Sequence, residues 1–119
     1  MKVCAIDFVE LGVADMGQSL VFYGDTLGMD FPLSGQSADW KELATPPVAL
    51  AFGRGGPAPG QVVLALAVDD VAAAVAELRA TGVPIVKEPW AEDVCTRALI
   101  RGPDGNELML HHRNDGTAG

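Results

Sequence analysis

The chain of 119 residues has few basic residues and few cysteines, and each shortage excludes a class of protein. Its 8 Lys and Arg stand against 16 Asp and Glu, whereas nucleic-acid backbones are held by clustered basic side chains. Two cysteines, Cys4 and Cys95, are too few for a disulfide framework and have neither zinc-ribbon nor redox spacing, so we expect both to be buried. No apolar run reaches the roughly 20 residues that span a bilayer, and no signal-type segment opens the chain. We therefore expect a cytoplasmic protein without nucleic-acid or membrane partners.

What the chain does contain is an internal repeat. The segment Leu11–Phe31 is echoed by Leu66–Val86, and each copy reads as an apolar strand, an acidic helix start, a short helix, a glycine stop and another strand. The glycine- and proline-rich segment 54–60 separates the copies. We therefore predict a single domain with a first module of about 1–53, a linker at 54–60, a second module of about 61–112 and a tail at 113–119.

Hydrophobic periodicity and turn residues place the elements of each module. The first module is predicted to have a helix capped by Asp15 that runs to about Leu27, and strands at 3–13, 29–34, 38–44 and 47–53. The second is predicted to have a helix capped by Asp69 or Asp70 that ends before Gly82, and strands at 62–68, 83–87, 95–101 and 106–112. The Gly-Pro-Asp-Gly-Asn segment at 102–106 predicts a hairpin turn.

Five short motifs carry a family resemblance over nearly the whole chain. They are the strand ending in VADM, FY at 22–23, LG at 27–28, VDDV at 68–71 and PDGN at 103–106. Together they resemble the vicinal oxygen chelate superfamily of glyoxalase I, bleomycin resistance proteins and extradiol dioxygenases, although Gly102 stands where Asp usually precedes the turn. The resemblance implies an α+β fold of two βαβββ modules whose curled mixed sheet forms a cup, in a homodimer.

The resemblance also implies where metal-dependent members hold a divalent ion. Four side chains, commonly His, Gln or Glu, bind it from the first and last strands of each module. Counting from the motifs puts these positions at Phe8, Val63, Met109 and near Leu50. Because hydrocarbon and thioether groups cannot replace oxygen or imidazole ligands, we expect no metal and no other cofactor.

Strand periodicity then divides the side chains between two faces. If Phe8 faces the cup, Glu10 does too, while Leu11 and Val13 pack under a helix. The side chains expected to contact a ligand are Phe8, Glu10, Trp40, Leu50, Phe52, Val63, Trp90, Arg97, Met109 and His111. An apolar, aromatic lining with few polar groups fits a planar organic ligand, and the alternative is that the same side chains fill the cup as a solid core.

Glu10 and His111 are the candidates for acid–base catalysis. Burial and a nearby positive charge, such as Arg97 or Arg101, both shift the pKa of a carboxyl group, which would suit Glu10 to acid–base chemistry. The competing interpretation of Glu10 is an ordinary ion pair at the rim of the cup. For His111 it is a structural role. The remaining acidic residues have no spacing that singles them out and are expected on solvated surfaces; they include Asp7, Asp39, Glu42 and Glu88.

Several functions compete on this evidence. The leading hypothesis is a metal-independent protein that binds an apolar or aromatic small molecule, as in drug or antibiotic sequestration, without being an enzyme. The runner-up is a metal-dependent lyase, isomerase or dioxygenase that holds Zn²⁺, Ni²⁺ or Fe²⁺ through Glu10, Glu107 and His111. A third is metal-free catalysis with Glu10 or His111 as general base, and a fourth is a structural dimer subunit with a filled cup.

Overall fold

The computed structural model describes residues 1–119, which form two compact units. Unit I comprises Phe8–Val62, and unit II comprises Met1–Asp7 together with Val63–Gly119. The element order is βαβββ followed by βαβββ, which confirms the predicted α+β class and the duplicated module. Neither helix has the length and apolar character that crossing a membrane requires.

Unit I contains four neighbouring strands in the order β2-β3-β4-β1, with β1 and β4 parallel and the other pairs antiparallel. Their bounds are β1 Ala5–Gly12, of which residues 8–12 lie in this unit, β2 Leu33–Ser37, β3 Trp40–Leu43 and β4 Ala49–Gly53. The helix begins as predicted, because the Gln18 backbone N–H donates to Asp15 Oδ1 at 2.9 Å.

The helix of unit I changes type partway along. Helix α1 spans Met16–Leu20 and continues as a π-helical segment, Val21–Thr26. The Leu27 backbone N–H donates to the Phe22 carbonyl at 2.9 Å, which is the five-residue spacing of a π-helix. The predicted helix to about Leu27 is therefore present, and its second half is π-helical.

The core of unit I lies between this helical segment and one face of the strands. Its buried members are Met16, Leu43 and Phe52, with partly buried Leu11, Val13, Leu20, Tyr23, Met29 and Leu50 packed against them. The rings of Tyr23 and Phe52 lie 4.8 Å apart. Leu11 and Val13 thus pack under a helix as predicted.

Unit II contains four strands in the order β5-β8-β7-β6, in which β5 and β8 are parallel and the others antiparallel. Their bounds are β5 Val62–Ala67, of which residues 63–67 lie in this unit, β6 Ile85–Ala91, β7 Cys95–Arg101 and β8 Glu107–Arg113, and helix α2 is Val71–Ala80. Asp70 caps α2, since its Oδ1 accepts from the Ala73 backbone N–H at 2.9 Å. In the predicted turn, the Gly105 N–H donates to the Gly102 carbonyl and Gly105 has φ of +86°.

The core of unit II lies between α2 and one face of its strands. The buried members are Val68, Val71, Ala74, Val75, Ala98, Ile100 and Leu110, and Leu78, Val83, Ile85 and Leu108 pack against them. Because neighbours along a strand point to opposite faces, Met109 and His111 lie on the face away from α2, as predicted.

The two cysteines differ in environment. Cys95 is buried as predicted, whereas Cys4 is exposed, so that prediction was wrong for Cys4. Its Sγ lies at the edge of unit II, 3.8 Å from the Lys2 carbonyl and 4.0 Å from Asp69 Oδ1.

Candidate functional site

On the face of unit II opposite α2, three long side chains stand directly across from one another. Trp90 of β6 is the register partner of Arg97 in β7, and Arg97 is the partner of His111 in β8. Ala67 of β5 is the next partner along this row. Directly opposed residues share a face of the sheet, so an aromatic ring, a guanidinium and an imidazole are presented together.

A second set of side chains on this face is apolar. Val63, Ala65 and Met109 are buried, and Met109 is the register partner of both Leu99 and Ala65. The sulfur atoms lie close to the guanidinium: Arg97 Nε donates to Cys95 Sγ at 3.2 Å, and Nη1 lies 3.9 Å from Met109 Sδ. The surface around Arg97 and His111 is therefore made of methyl groups and thiol or thioether sulfur.

His111 is held in place by a buried carboxylate. Its Nδ1 lies 2.6 Å from Asp7 Oδ2, and the two residues are 4% and 1% exposed. The other Asp7 oxygen, Oδ1, accepts from the Gly119 backbone N–H at 2.8 Å and lies 3.4 Å from Arg113 Nη1. With cationic and N–H donors on one oxygen, Asp7 acts as the acceptor, so we infer that His111 carries its proton on Nδ1.

The surroundings of His111 lower the pKa of its imidazole. Burial lowers the pKa of His111 below its ordinary value, and it outweighs the hydrogen bond and the charge of Asp7, which act in the opposite direction. The positive charges of Arg97 and Arg113 add to the lowering. A lowered pKa favours the neutral form of the ring.

The neighbouring His112 has a different role. Its Nδ1 lies 3.0 Å from the Val68 carbonyl, and alternation along β8 points it away from the face that carries His111. As expected from the sequence, the two adjacent histidines do not share one site.

Unit I also presents a face opposite its helix. Phe8 and Glu10 of β1 pair in register with Ala49 and Ala51 of β4, and all four lie on this face. Trp40 pairs with Gly53 on the same face, and its ring meets Phe8 edge-on at 5.2 Å. Glu10 is buried next to Gly53. A Cβ atom at position 53 would lie 2.2 Å from Glu10 Oε2, so a side chain there would clash with the carboxylate. Phe8, Glu10 and Trp40 are thus together, as predicted.

Two of the predicted ligand-contacting residues lie elsewhere. Leu50 and Phe52 belong to the core under α1, so the prediction that they face the cup was wrong. The register of β4 explains the error: Phe52 pairs with Leu11, which also faces the helix, and the face of Phe8 receives Ala49 and Ala51 instead. The remaining predicted residues, Val63, Trp90, Arg97, Met109 and His111, are on the non-helical face of unit II.

Asp7 is the functional candidate that the sequence did not reveal. It was expected on a solvated surface, but it is buried and contacts His111 and Arg113.

Trp90 is only half-buried. Lys87 Nζ lies 4.0 Å above the Trp90 ring, and Trp90 Nε1 donates to Glu92 Oε1 at 2.9 Å.

A surface cleft of about 310 Å³ in unit I has none of these residues in its lining. It runs along the start of α1 in unit I and is lined by Gly12, Val13, Ala14, Asp15, Gln18, Ser19, Phe22, Tyr23 and Pro59. It is open to solvent, and none of the side chains predicted to contact a ligand lines it.

Comparison with known proteins agrees with this arrangement of two modules. Residues 5–110 match the model of the Glyoxalase/Bleomycin resistance protein/Dioxygenase superfamily, and the chain belongs to that family. An uncharacterised protein of Mycolicibacterium smegmatis is 32% identical over 108 residues, which cover 89% of this chain and 91% of that protein.

Solved structures share the fold. Methylmalonyl-CoA epimerase from Mycobacterium tuberculosis aligns with a TM-score of 0.72 at 24% identity, covering 92% of this chain and 87% of the epimerase. The Mn(II)-bound glyoxalase from Novosphingobium aromaticivorans aligns with a TM-score of 0.70 at 24% identity, covering 99% of this chain but 41% of the glyoxalase.

The residues of this chain do not fit the metal that the family implies. Of the positions that counting from the motifs assigns to metal ligands, the side chains of Phe8, Val63 and Met109 offer no oxygen or nitrogen, and the β4 residues on the face of Phe8 are alanines and glycine. No three His, Cys, Asp or Glu side chains converge in a way that could hold an ion. Divalent zinc, nickel and iron need such donors, so these positions cannot supply a site of the family type.

Proposed function

We propose that this chain is a metal-independent protein that binds a small organic molecule with an apolar, aromatic body. The observation that carries the proposal is the composition of the unit II face opposite α2. Buried Val63, Ala65 and Met109 supply hydrocarbon and sulfur, and a few polar groups, Arg97 and His111, stand among them. Ligand sites have this make-up of apolar walls with few convergent polar groups.

The face of unit I that carries Phe8 and Trp40 supports the same proposal. Phe8 is buried, and Trp40, which packs edge-on against it, is partly exposed and offers its ring to an aromatic ligand. Sequestration of a drug or metabolite in the cytoplasm is the use we favour, since binding of this kind requires neither a nucleophile nor a metal. Hiding roughly 300 Å² of apolar ligand surface contributes about 7 kcal/mol before the cost of association, so micromolar binding or better also requires the contribution of aromatic stacking.

We expect Met109→Ala to weaken ligand binding about tenfold or more, because the truncated side chain no longer covers apolar ligand surface. The purified protein is first screened with a panel of aromatic and cationic natural products by thermal shift, and hits are titrated by calorimetry. The matched control is Leu108→Ala, since Leu108 is the adjacent residue of β8 and packs toward α2. Its dissociation constant should equal that of the wild type.

Two results would contradict this proposal. One is a panel in which no compound shifts the melting temperature. The other is a bound metal. If the protein is incubated with Zn²⁺, Ni²⁺ and Mn²⁺ and then dialysed, elemental analysis would find one equivalent of metal in the wild type and none in the His111→Gln variant.

We further propose that the chain forms a homodimer. Unit I leaves large apolar side chains exposed along the end of its helical segment and in the stretch that leads into β2, namely Val21, Phe22, Leu27, Phe31 and Leu33. Exposed apolar patches of this kind are typical of protein interfaces.

Light scattering of the wild-type protein should give the mass of two chains, and light scattering of the Phe22→Glu variant should give the mass of one chain. Val94→Glu, at a 71% exposed residue of unit II, should leave the dimer intact, and a monomeric wild type would refute the proposal.

A further inference from the structure

The surface cleft of unit I carries one negative charge and no positive charge. Asp15 is the only charged residue in its lining, which contains no lysine, arginine or histidine. The Asp15 side chain is exposed, and its Oδ1 accepts from the Gln18 backbone N–H at 2.9 Å. That bond occupies one of the two carboxylate oxygens, and Oδ2 can accept from a further donor. The cleft therefore offers an anionic acceptor to a molecule that enters it.

Much of the remaining lining is apolar or aromatic. The ring of Phe22 is 49% exposed and meets the ring of Tyr23 edge-on at 5.0 Å. Tyr23 in turn packs on buried Phe52 at 4.8 Å, so the core of unit I holds this pair of rings in place. Aromatic faces attract organic cations as well as hydrocarbon. A carboxylate and an exposed ring thus line the same cleft.

The wall of the cleft opposite the helix is held by backbone contacts. Gly12 of β1 donates to the Gln61 carbonyl at 2.9 Å and accepts from the Gly60 N–H at 3.0 Å. A Cβ atom at position 12 would lie 2.1 Å from the Ala58 carbonyl oxygen, so the segment that carries Pro59 lies directly against β1. A cleft with a fixed wall requires little ordering when a ligand binds.

We propose that this cleft binds a small organic ammonium ion, with the ammonium group at the Asp15 carboxylate and the apolar body along Phe22 and Pro59. The formal net charge of −8 attracts cations to the chain as a whole. A carboxylate ligand would meet only negative charge in the cleft, and a neutral ligand would lose the attraction to Asp15. This inference goes beyond the proposed function, because it assigns a second binding site, in unit I.

The test compares three probes that share a phenylethyl body and differ in charge: phenethylamine, phenethyl alcohol and hydrocinnamate. Each is titrated into the full-length protein, and binding is followed by the backbone amide resonances. Phenethylamine should bind about fivefold tighter than the alcohol, from an exposed ion pair and a cation–π contact, and hydrocinnamate should bind weakest. The amide resonances of Gln18 and Ser19 should move, and that of Ala73, at the start of α2, should stay in place.

Asp15→Asn removes the charge and keeps the helix cap, because asparagine caps a helix as well as aspartate does. The preference for the amine over the alcohol should fall below about twofold, with an unchanged melting temperature. The matched control is Asp70→Asn, since Asp70 caps α2 with the same 2.9 Å bond and does not line the cleft. This control should keep the full preference. Raising the salt concentration to about 0.5 M should reduce the preference in the wild type, since salt screens an exposed charge.

Three results would overturn the inference. One is equal affinity for the amine and the alcohol, and another is an amine preference that persists in Asp15→Asn. The third is an absence of movement in the lining amides with any probe. This result would be obtained if a second copy covered the cleft, because Phe22 also belongs to the apolar patch proposed for the dimer.

Met109→Ala separates this inference from the proposed function. Met109 belongs to unit II, so its truncation should leave the affinity for phenethylamine unchanged. Loss of phenethylamine binding in Met109→Ala would place the probe at unit II and refute the site in the cleft. Failure of the cleft to bind any probe would leave the proposal for unit II standing, because that proposal depends on the aromatic panel and on Met109.

Discussion

Replacing Asp7 by alanine should lower the free energy of unfolding by about 3 kcal/mol, because a buried hydrogen-bond donor that is left without its acceptor costs about 1 to 3 kcal/mol. The variant leaves the Nδ1–H of His111 and the N–H of Gly119 without the carboxylate that accepts them. Arg113 also loses the charge that lies 3.4 Å from its Nη1. Urea denaturation, read as a change in midpoint at constant slope, measures the effect.

The matched control for this prediction is Asp39→Ala. Asp39 also pairs with an arginine, Arg54, at 3.8 Å, but the two side chains are 66% and 52% exposed. Solvent-exposed ion pairs contribute about 0 to 1 kcal/mol, so the control should lie within that range. If both variants lost the same small amount, Asp7 would not have the structural role assigned to it.

Phe52→Ala is expected to cost about 3 to 5 kcal/mol of stability as well, for a different reason. Phe52 is fully buried beneath α1 and lies 4.8 Å from the ring of Tyr23, so its removal leaves a cavity in the core of unit I. Val94→Ala is the control, because this side chain is 71% exposed, lies outside the proposed dimer interface and buries little surface. We expect a change below about 1 kcal/mol there.

The Phe52 variant also separates the two interpretations of this residue. As a ligand contact it would change affinity with little effect on stability. As a core residue it should change stability and leave the dissociation constant of the folded protein within about threefold of the wild type, since its side chain faces the helix. Thermal denaturation measures the stability of the Phe52→Ala variant, and calorimetric titration of the same preparation measures its dissociation constant. Unchanged stability would refute the assignment of Phe52 to the core.

Local sequence signals predicted most elements of this fold, although β2 and β6 lie later in the chain than the strands predicted at 29–34 and 83–87. The two aspartate caps, the turn at 102–106 and the strand at 95–101 depend on residues close together in the chain, and each is found where it was predicted. The π-helical segment was not foreseen, because its five-residue hydrogen bonds leave no distinct pattern in so short a stretch.

The errors concern contacts between distant parts of the chain. The face of Phe52 depends on its pairing with Leu11, which counting from motifs cannot fix. The alternation of small and large residues over Ala49–Phe52 could have predicted the correct face. The larger side chains, Leu50 and Phe52, were the better candidates for the core that packs against the helix. Asp7 is separated from His111 by 104 positions, so no local spacing marks it. The sequence indicated this contact only through the position of Asp7 between Ile6 and Phe8, because a charged residue within an apolar strand needs a polar partner if it is buried.

The two tryptophans give each half of the molecule its own fluorophore. Trp40 reports on unit I through its contact with Phe8, and Trp90 reports on unit II beneath the ammonium of Lys87. Single-tryptophan variants made with Trp40→Phe and Trp90→Phe therefore separate their emission during denaturation. Coincident transitions would indicate one cooperative event, and separate transitions would indicate duplicated halves that unfold independently.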